Sequence, residues 1–271
     1  MASESGIEID FGIGKVRVGK DALGPLGTIL DRIFRRWQGA NVIFFGAAGG
    51  GKTSVIREYL GVELAASETQ KLTKVRAELD EDEVLVIDTP GDEIFFGAVK
   101  KALDELNSGR KICLIHVVDL GYNVPYELLD QDRLERFARD FGCHPIADGE
   151  ANLEYLNLKR DQEFNYFKRV FVDEIFNYDA IAGLITVVNK RDLWGVKYDA
   201  TDAVAHYGSE SVYGEVISQY LPLNKYHVVS AMVRDELFFG KKVDREMLSQ
   251  DERDRMAAEF LVKLTTLLPQ S

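Results

Sequence analysis

Eight consecutive residues constrain this chain more than any other stretch: Gly46-Ala47-Ala48-Gly49-Gly50-Gly51-Lys52-Thr53. They follow the apolar run Asn41-Val42-Ile43-Phe44-Phe45 and precede Ser54-Val55-Ile56-Arg57-Glu58-Tyr59-Leu60, so the pattern is strand, glycine-rich turn, helix. Glycines at the end of a strand let backbone N–H groups point inward at phosphate oxygens, and the helix N-terminus adds the positive end of its dipole. A Cβ would block that approach. In such a loop the Lys52 ammonium reaches the terminal phosphates and the Thr53 hydroxyl holds Mg²⁺, with Ser54 next in the nucleotide-binding run.

The 271 residues suffice for one large α/β domain or two small ones. Lysine and arginine number 33 against 45 acidic residues, and the net charge of −12 argues against nonspecific binding to nucleic acid or anionic lipid. The two cysteines, Cys113 and Cys143, lack the paired spacing of a zinc or redox motif, which fits a reducing compartment. No apolar run reaches the ~18 residues that cross a bilayer. Residues 1–10 lack a basic-then-apolar secretion pattern, so the cytoplasm is the expected location.

Alternation of Ile7, Ile9, Phe11 and Ile13, then Val16 and Val18, predicts a strand or hairpin over residues 6–20. Residues 23–37 carry Leu26, Ile29, Leu30, Ile33, Phe34 and Trp37 at helical spacing, an amphipathic helix expected to pack on the rest of the chain rather than on a membrane. Two strands, residues 73–79 and 84–88, are joined by an acidic turn, and the second ends in Asp88-Thr89-Pro90-Gly91. A carboxylate at a strand end beside a phosphate loop is placed to hold Mg²⁺ through water, and the Gly91 N–H is placed to sense a γ-phosphate. A helix is expected over 95–106 and a buried parallel strand over 111–119, with His116 a core residue. Helices are predicted over 127–141, 153–176 and 213–221, and strands over 181–188 and 225–229. Ser249-Gln250-Asp251-Glu252 has the form of a capping box before a helix to residue 268.

The strand over 181–188 ends in Asn189-Lys190-Arg191-Asp192. Asn189 can meet the O6 and N7 edge of a purine, the Lys190 stem can cover the ring, and the Asp192 carboxylate can accept from N1–H and the 2-amino group of guanine. Adenine lacks that donor pair and would leave the carboxylate unpaired, which penalises it strongly.

The ordered motifs resemble the Ras-like, translation-factor-related P-loop GTPases over about residues 40–268, with Asp-Thr-Pro-Gly closer to Era-like proteins than to Ras. The resemblance implies residues 46–53 as phosphate loop, Asp88 to Gly91 as switch-two motif, Asn189 to Asp192 as guanine motif and Ser230-Ala231 as the last base-contacting loop. It implies GTP or GDP with Mg²⁺ as ligands, Thr53, Thr73 and Asp88 around the metal, Thr69 as the alternative to Thr73, and a protein effector or activator. The implied fold is a doubly wound α/β domain with a mostly parallel sheet over 40–271, a helical insertion at about 120–179 and an N-terminal strand-helix extension over 1–39. Mobile segments are expected at about 63–75 and 89–100, with Phe95 and Phe96 either a partner surface or core.

Two departures bear on turnover. Asp92 stands where Ras-like proteins carry the water-orienting glutamine, and Ala48 stands where they carry the third loop glycine. A carboxylate near the γ-phosphate is repelled by it, so hydrolysis is expected to be slow unless positive charge comes in trans or from an insertion arginine such as Arg133 or Arg136.

Overall fold

The structure is a computed structural model that describes residues 6–10, 15–19, 40–60, 73–79, 82–89, 100, 111–123, 131–147, 150–175, 177–232, 238–239 and 246–267. Within these residues one eight-stranded sheet runs β10-β9-β6-β3-β5-β4-β1-β2. Its strands are β1 Gly6–Asp10, β2 Lys15–Gly19, β3 Ala40–Phe45, β4 Thr73–Leu79, β5 Asp82–Asp88, β6 Lys111–Val118, β9 Ile181–Val188 and β10 Tyr226–Ser230. A separate two-stranded ribbon pairs β7 Ile146–Ala147 with β8 Glu150–Ala151. The pairings from β10 through β9, β6 and β3 to β5 are parallel, and those from β5 through β4 and β1 to β2 are antiparallel.

The parallel strands are apolar on both faces, as strands covered on both sides must be. All eight residues of β9 are buried. Ile43 and Phe45 share a core with Tyr166, Phe167 and Phe171 beyond β8. The alternate residues Val42 and Phe44 are equally buried on the opposite side of the strand. The helices bounded within the described residues are α1 Lys52–Leu60, α2 Gln131–Phe141, α3 Leu153–Lys168, α4 Arg191–Trp194, α5 Ala200–Tyr207, α6 Val212–Ser218 and α7 Gln250–Leu267. Helix α3 lays Phe167 against Phe45 and His116, with ring centroids 6.3 and 4.9 Å apart. On the other face α7 packs on β9 so closely that a Cβ at Gly183 would lie 2.5 Å from Leu267. Tyr59 of α1 meets Phe260 of α7 at 5.6 Å. Helices therefore cover both faces, the doubly wound arrangement.

Several boundaries differ from the sequence reading. The ladder of β4 with β5 continues to the pair Leu79 and Asp82, so Asp82 and Glu83 lie in a strand rather than in the acidic turn. The helix expected over 153–176 stops being α-helical at Lys168 and continues as a π-helix, Arg169–Asp173. Helix α6 ends at Ser218, and α4, α5 and the β7–β8 ribbon lie where no element was expected. Helix α5 has local cause: Asp199 accepts from the Thr201 and Asp202 N–H groups, and the Asp202 side chain accepts from the Asp199 N–H. Within the span expected as a strand or hairpin, β1 and β2 pair antiparallel, and β1 joins them to the main sheet through β4. The helix expected over 23–37 lies outside the described residues, as do Thr69, Gly91, Asp92, Phe95 and Phe96. Among the described residues no helix is long and apolar enough to cross a membrane.

Candidate functional site

Five parallel strands end on one edge of the sheet, the place where open α/β sheets gather ligand-binding residues. There β3 leads into the glycine-rich loop, β5 ends at Asp88, β6 leads into Asp119, β9 leads into Asn189 and β10 ends at Ser230. Register fixes the neighbours: Phe44 pairs with Asp88, and Val188 pairs with both Val118 and Ser230.

The loop turns through Gly46, Gly49 and Gly51 at positive φ, and a Cβ on Gly46 would lie 2.1 Å from the Val117 carbonyl oxygen. Lys52, the first helical residue, curls back and donates from Nζ to the carbonyl oxygens of Gly46 at 2.9 Å and Ala47 at 3.0 Å. Burial lowers the pKa of its ammonium, and the Asp88 and Asp119 carboxylates oppose that shift. Thr53 donates from Oγ1 to Oδ2 of Asp88 at 2.5 Å. Burial raises the Asp88 pKa, against Lys52 and the Thr53 hydroxyl. Its Oδ1 is buried with no hydrogen-bond partner among the described residues. A hydroxyl and a carboxylate with one unsatisfied buried oxygen form a hard oxygen donor set that suits Mg²⁺, which takes one or two protein oxygens and completes its shell from phosphate and water. The backbone of Thr73 pairs with that of Asp88 across β4 and β5, which brings this threonine to the same strand end. Thr89 is fixed beside it, donating to the Phe44 carbonyl at 2.8 Å.

The second half of the site is tied to the first. Asn189 donates from Nδ2 to the Gly50 carbonyl at 3.1 Å. Lys190 takes a left-handed backbone, φ 59°, and its ammonium reaches three acceptors: Gly49 O at 2.7 Å, Tyr122 O at 2.8 Å and Asp119 Oδ2 at 2.8 Å. Asp192 is fully buried in the first turn of α4. Trp194 donates from its indole N–H to the Asn189 carbonyl at 2.7 Å, and the Arg191 guanidinium stacks over its ring at 4.5 Å. Ala231 closes the edge, donating its N–H to Val188 O at 2.9 Å and accepting from Arg191 N–H at 3.0 Å.

No family model matches this sequence, and no curated protein matches it. Among solved structures, Toc33 from Arabidopsis thaliana in complex with GDP and Mg²⁺ is similar over 90% of this chain and 92% of that one, with TM-score 0.54 and 12% identity. Toc33 in complex with Mg²⁺ and GMPPNP is similar over the same shares, with TM-score 0.52 and 12% identity. The chain has the P-loop GTPase fold.

In this GTPase fold, the residues singled out from sequence at the strand ends converge: Gly46 to Ser54, Asp88, Asn189, Lys190, Asp192, Ser230 and Ala231 lie along one sheet edge. Arg133 and Arg136 lie on exposed positions of α2. Sequence reasoning missed Asp119 and Glu163. Asp119 is wholly buried against Lys190, and Glu163 of α3 is buried behind it. Burial and the Asp119 carboxylate push the Glu163 carboxyl well above its ordinary range. The available signal was position: Lys159 and Glu163 interrupt the apolar stripe of Tyr155, Leu156, Tyr166 and Phe167 on α3.

Proposed function

We propose that this chain binds GTP and GDP with Mg²⁺, hydrolyses GTP slowly, and acts as a switch that reports the γ-phosphate to a protein partner. The observation that carries the proposal is the bonding of Asn189 and Lys190 to Gly50 and Gly49, which ties a base-reading motif to a phosphate loop. The phosphates would lie in the loop from Gly46 to Thr53, with Lys52 turning its ammonium from the loop carbonyls to phosphate oxygen. Thr53, Asp88 and Thr73 would hold Mg²⁺, which supplies charge neutralisation of the phosphate oxygens. The Lys190 stem would floor the base while Asp192 reads N1–H and the 2-amino group. Similarity to Toc33, a protein solved with GDP, GMPPNP and Mg²⁺, supports the ligand assignment.

Ala48 and Asp92 favour a second reading, a protein whose interactions depend on bound GTP and which turns it over little or not at all. Calorimetric titration with GDP and with ATP tests the ligand, and single-turnover hydrolysis separates the two readings. Binding of GDP that excess ATP does not displace, and that Lys52→Ala weakens by about 10- to 100-fold through loss of a charge-assisted contact, is the expected result. Equal affinity of wild type and Lys52→Ala would mean that the loop is only a turn.

A further inference from the structure

Lys190 is held at its far end by the turn that follows β6, and that turn is held by α3. The turn is strained and tight: Leu120 and Gly121 have φ of 56° and 88°, and a Cβ at Gly121 would lie 2.4 Å from the Leu156 carbonyl oxygen of α3. Helix α3 grips it from three side chains. Glu163 Oε1 accepts the N–H groups of Asp119 and Gly121, each at 3.3 Å. Arg160 donates from Nε to Leu120 O at 2.9 Å, and Tyr155 donates from its hydroxyl to Asn123 O at 2.9 Å. Glu163 is itself fixed by Tyr207 of α5, whose hydroxyl donates to Oε2 at 2.7 Å. The same turn then presents two of the acceptors that reach the Lys190 ammonium, the Asp119 carboxylate and the Tyr122 carbonyl.

We infer that Glu163 is a positioning residue for the base-binding site: by seating the Asp119 and Gly121 N–H groups it fixes the acceptors that hold Lys190 over the base. A buried carboxyl is a costly way to hold a turn. Here it satisfies two backbone donors in a turn pressed against α3, and it sets the height of the Lys190 stem without touching the nucleotide. The inference rests on the guanine-nucleotide reading, and it extends the site to α3 and α5.

The test is a comparison of GDP and IDP affinities by calorimetry in the full chain, with thermal unfolding of every variant measured alongside. Glu163→Met keeps the volume and removes the acceptors, whereas Glu163→Gln keeps an amide oxygen for both N–H groups and offers its NH₂ to the Tyr207 oxygen. Glu163→Met is expected to weaken GDP and IDP alike by about tenfold, because the Lys190 stem covers the ring whether or not it carries a 2-amino group. Glu163→Gln should stay within about twofold of wild type. In a background carrying Asp119→Asn with Lys190→Met, which removes both charges together, adding Glu163→Met should cost less than about a further twofold. A general loss of structure would not show that dependence on Lys190. If Glu163→Met does not fold, Tyr207→Phe replaces it, with an expected loss of about three- to fivefold that is absent in the same background. Equal losses in both backgrounds would overturn the role of Glu163 while leaving nucleotide binding in place. Failure of the wild type to bind GDP would overturn the nucleotide reading and this inference with it.

Discussion

The side-chain amide of Asn189 sits 3.1 Å from the Gly50 carbonyl oxygen, 139 positions earlier in the chain, and a Cβ on Gly51 would lie 2.3 Å from that same amide nitrogen. Two motifs far apart in sequence are thus packed to the point where one methyl group would separate them.

Gly51→Ala is therefore expected to be costly twice. The φ of +87° is strained for any residue with a Cβ, by about 1–2 kcal/mol, and the displaced Asn189 loses a hydrogen bond of about 1 kcal/mol. Urea unfolding should show a loss of about 2–3 kcal/mol, accompanied by loss of nucleotide binding. Wild-type stability and affinity in this variant would show that the loop and Asn189 do not pack together.

Asp192→Asn should move base preference from guanine towards xanthine, because an amide offers a donor where the carboxylate offers only acceptors. Competition of GTP and XTP for the purified variant measures the ratio. An unchanged ratio would remove Asp192 from base reading.

Turnover should be slow. Without a glutamine after Gly91 and with Asp92 in its place, the isolated protein is expected to hydrolyse GTP at about 10⁻⁴–10⁻² s⁻¹, the range of unassisted small GTPases. An arginine supplied in trans would raise this by about 10³–10⁵-fold. Arg133 and Arg136, on exposed positions of α2, are the candidates from within the chain. Fast hydrolysis that does not depend on protein concentration and survives Arg133→Ala and Arg136→Ala would point back to Asp92.

His116 supplies a pH dependence of folding. Wholly buried between the rings of Phe45 and Phe167, it has its pKa pushed from 6.5 down to about 3 by burial and then by the Lys52 charge. The unfolded chain binds the proton first, so this contribution is fully present above pH 6.5 and is lost as the pH falls towards 3. The slope approaches 1.4 kcal/mol per pH unit within that window. His116→Phe should flatten it relative to wild type in denaturant titrations at stepped pH. Parallel curves for the two proteins would mean that His116 is protonated at no cost in the native state.

How much of this could be read beforehand follows from the range of the interactions. The β3, loop and α1 unit is local: an apolar run, glycines and a helical stretch follow one another, and their periods identify them. The start of α7 is equally local, since Ser249 and Glu252 bond reciprocally, the Ser249 N–H donating to Oε2 at 2.8 Å and the Glu252 N–H to Oγ at 3.3 Å. Asp119 and Lys190 are different. Their ion pair exists only because β6 and β9 are neighbours in register, with Val118 opposite Val188. Glu163 was visible as a misplaced charge on α3, but its partners depend on where the turn after β6 comes to rest. The short α4 and α5 escaped notice because each is a turn or two held by burial of one aromatic, Trp194 or Tyr207, and in α5 also by the Asp199 cap, rather than by a long stripe.

The N-terminal hairpin also has a mechanical consequence. Strand β4, which begins at Thr73, is held by β5 from Thr73 to Leu79 and by β1 through Arg76, Ala77 and Glu78. Sliding it by two residues is the smallest slip that keeps its side chains on their own faces, and that slip would unzip both ladders at once. Movement of the Thr73 end is therefore confined to bending at the strand ends, because any advance along the sheet has to break both registers together.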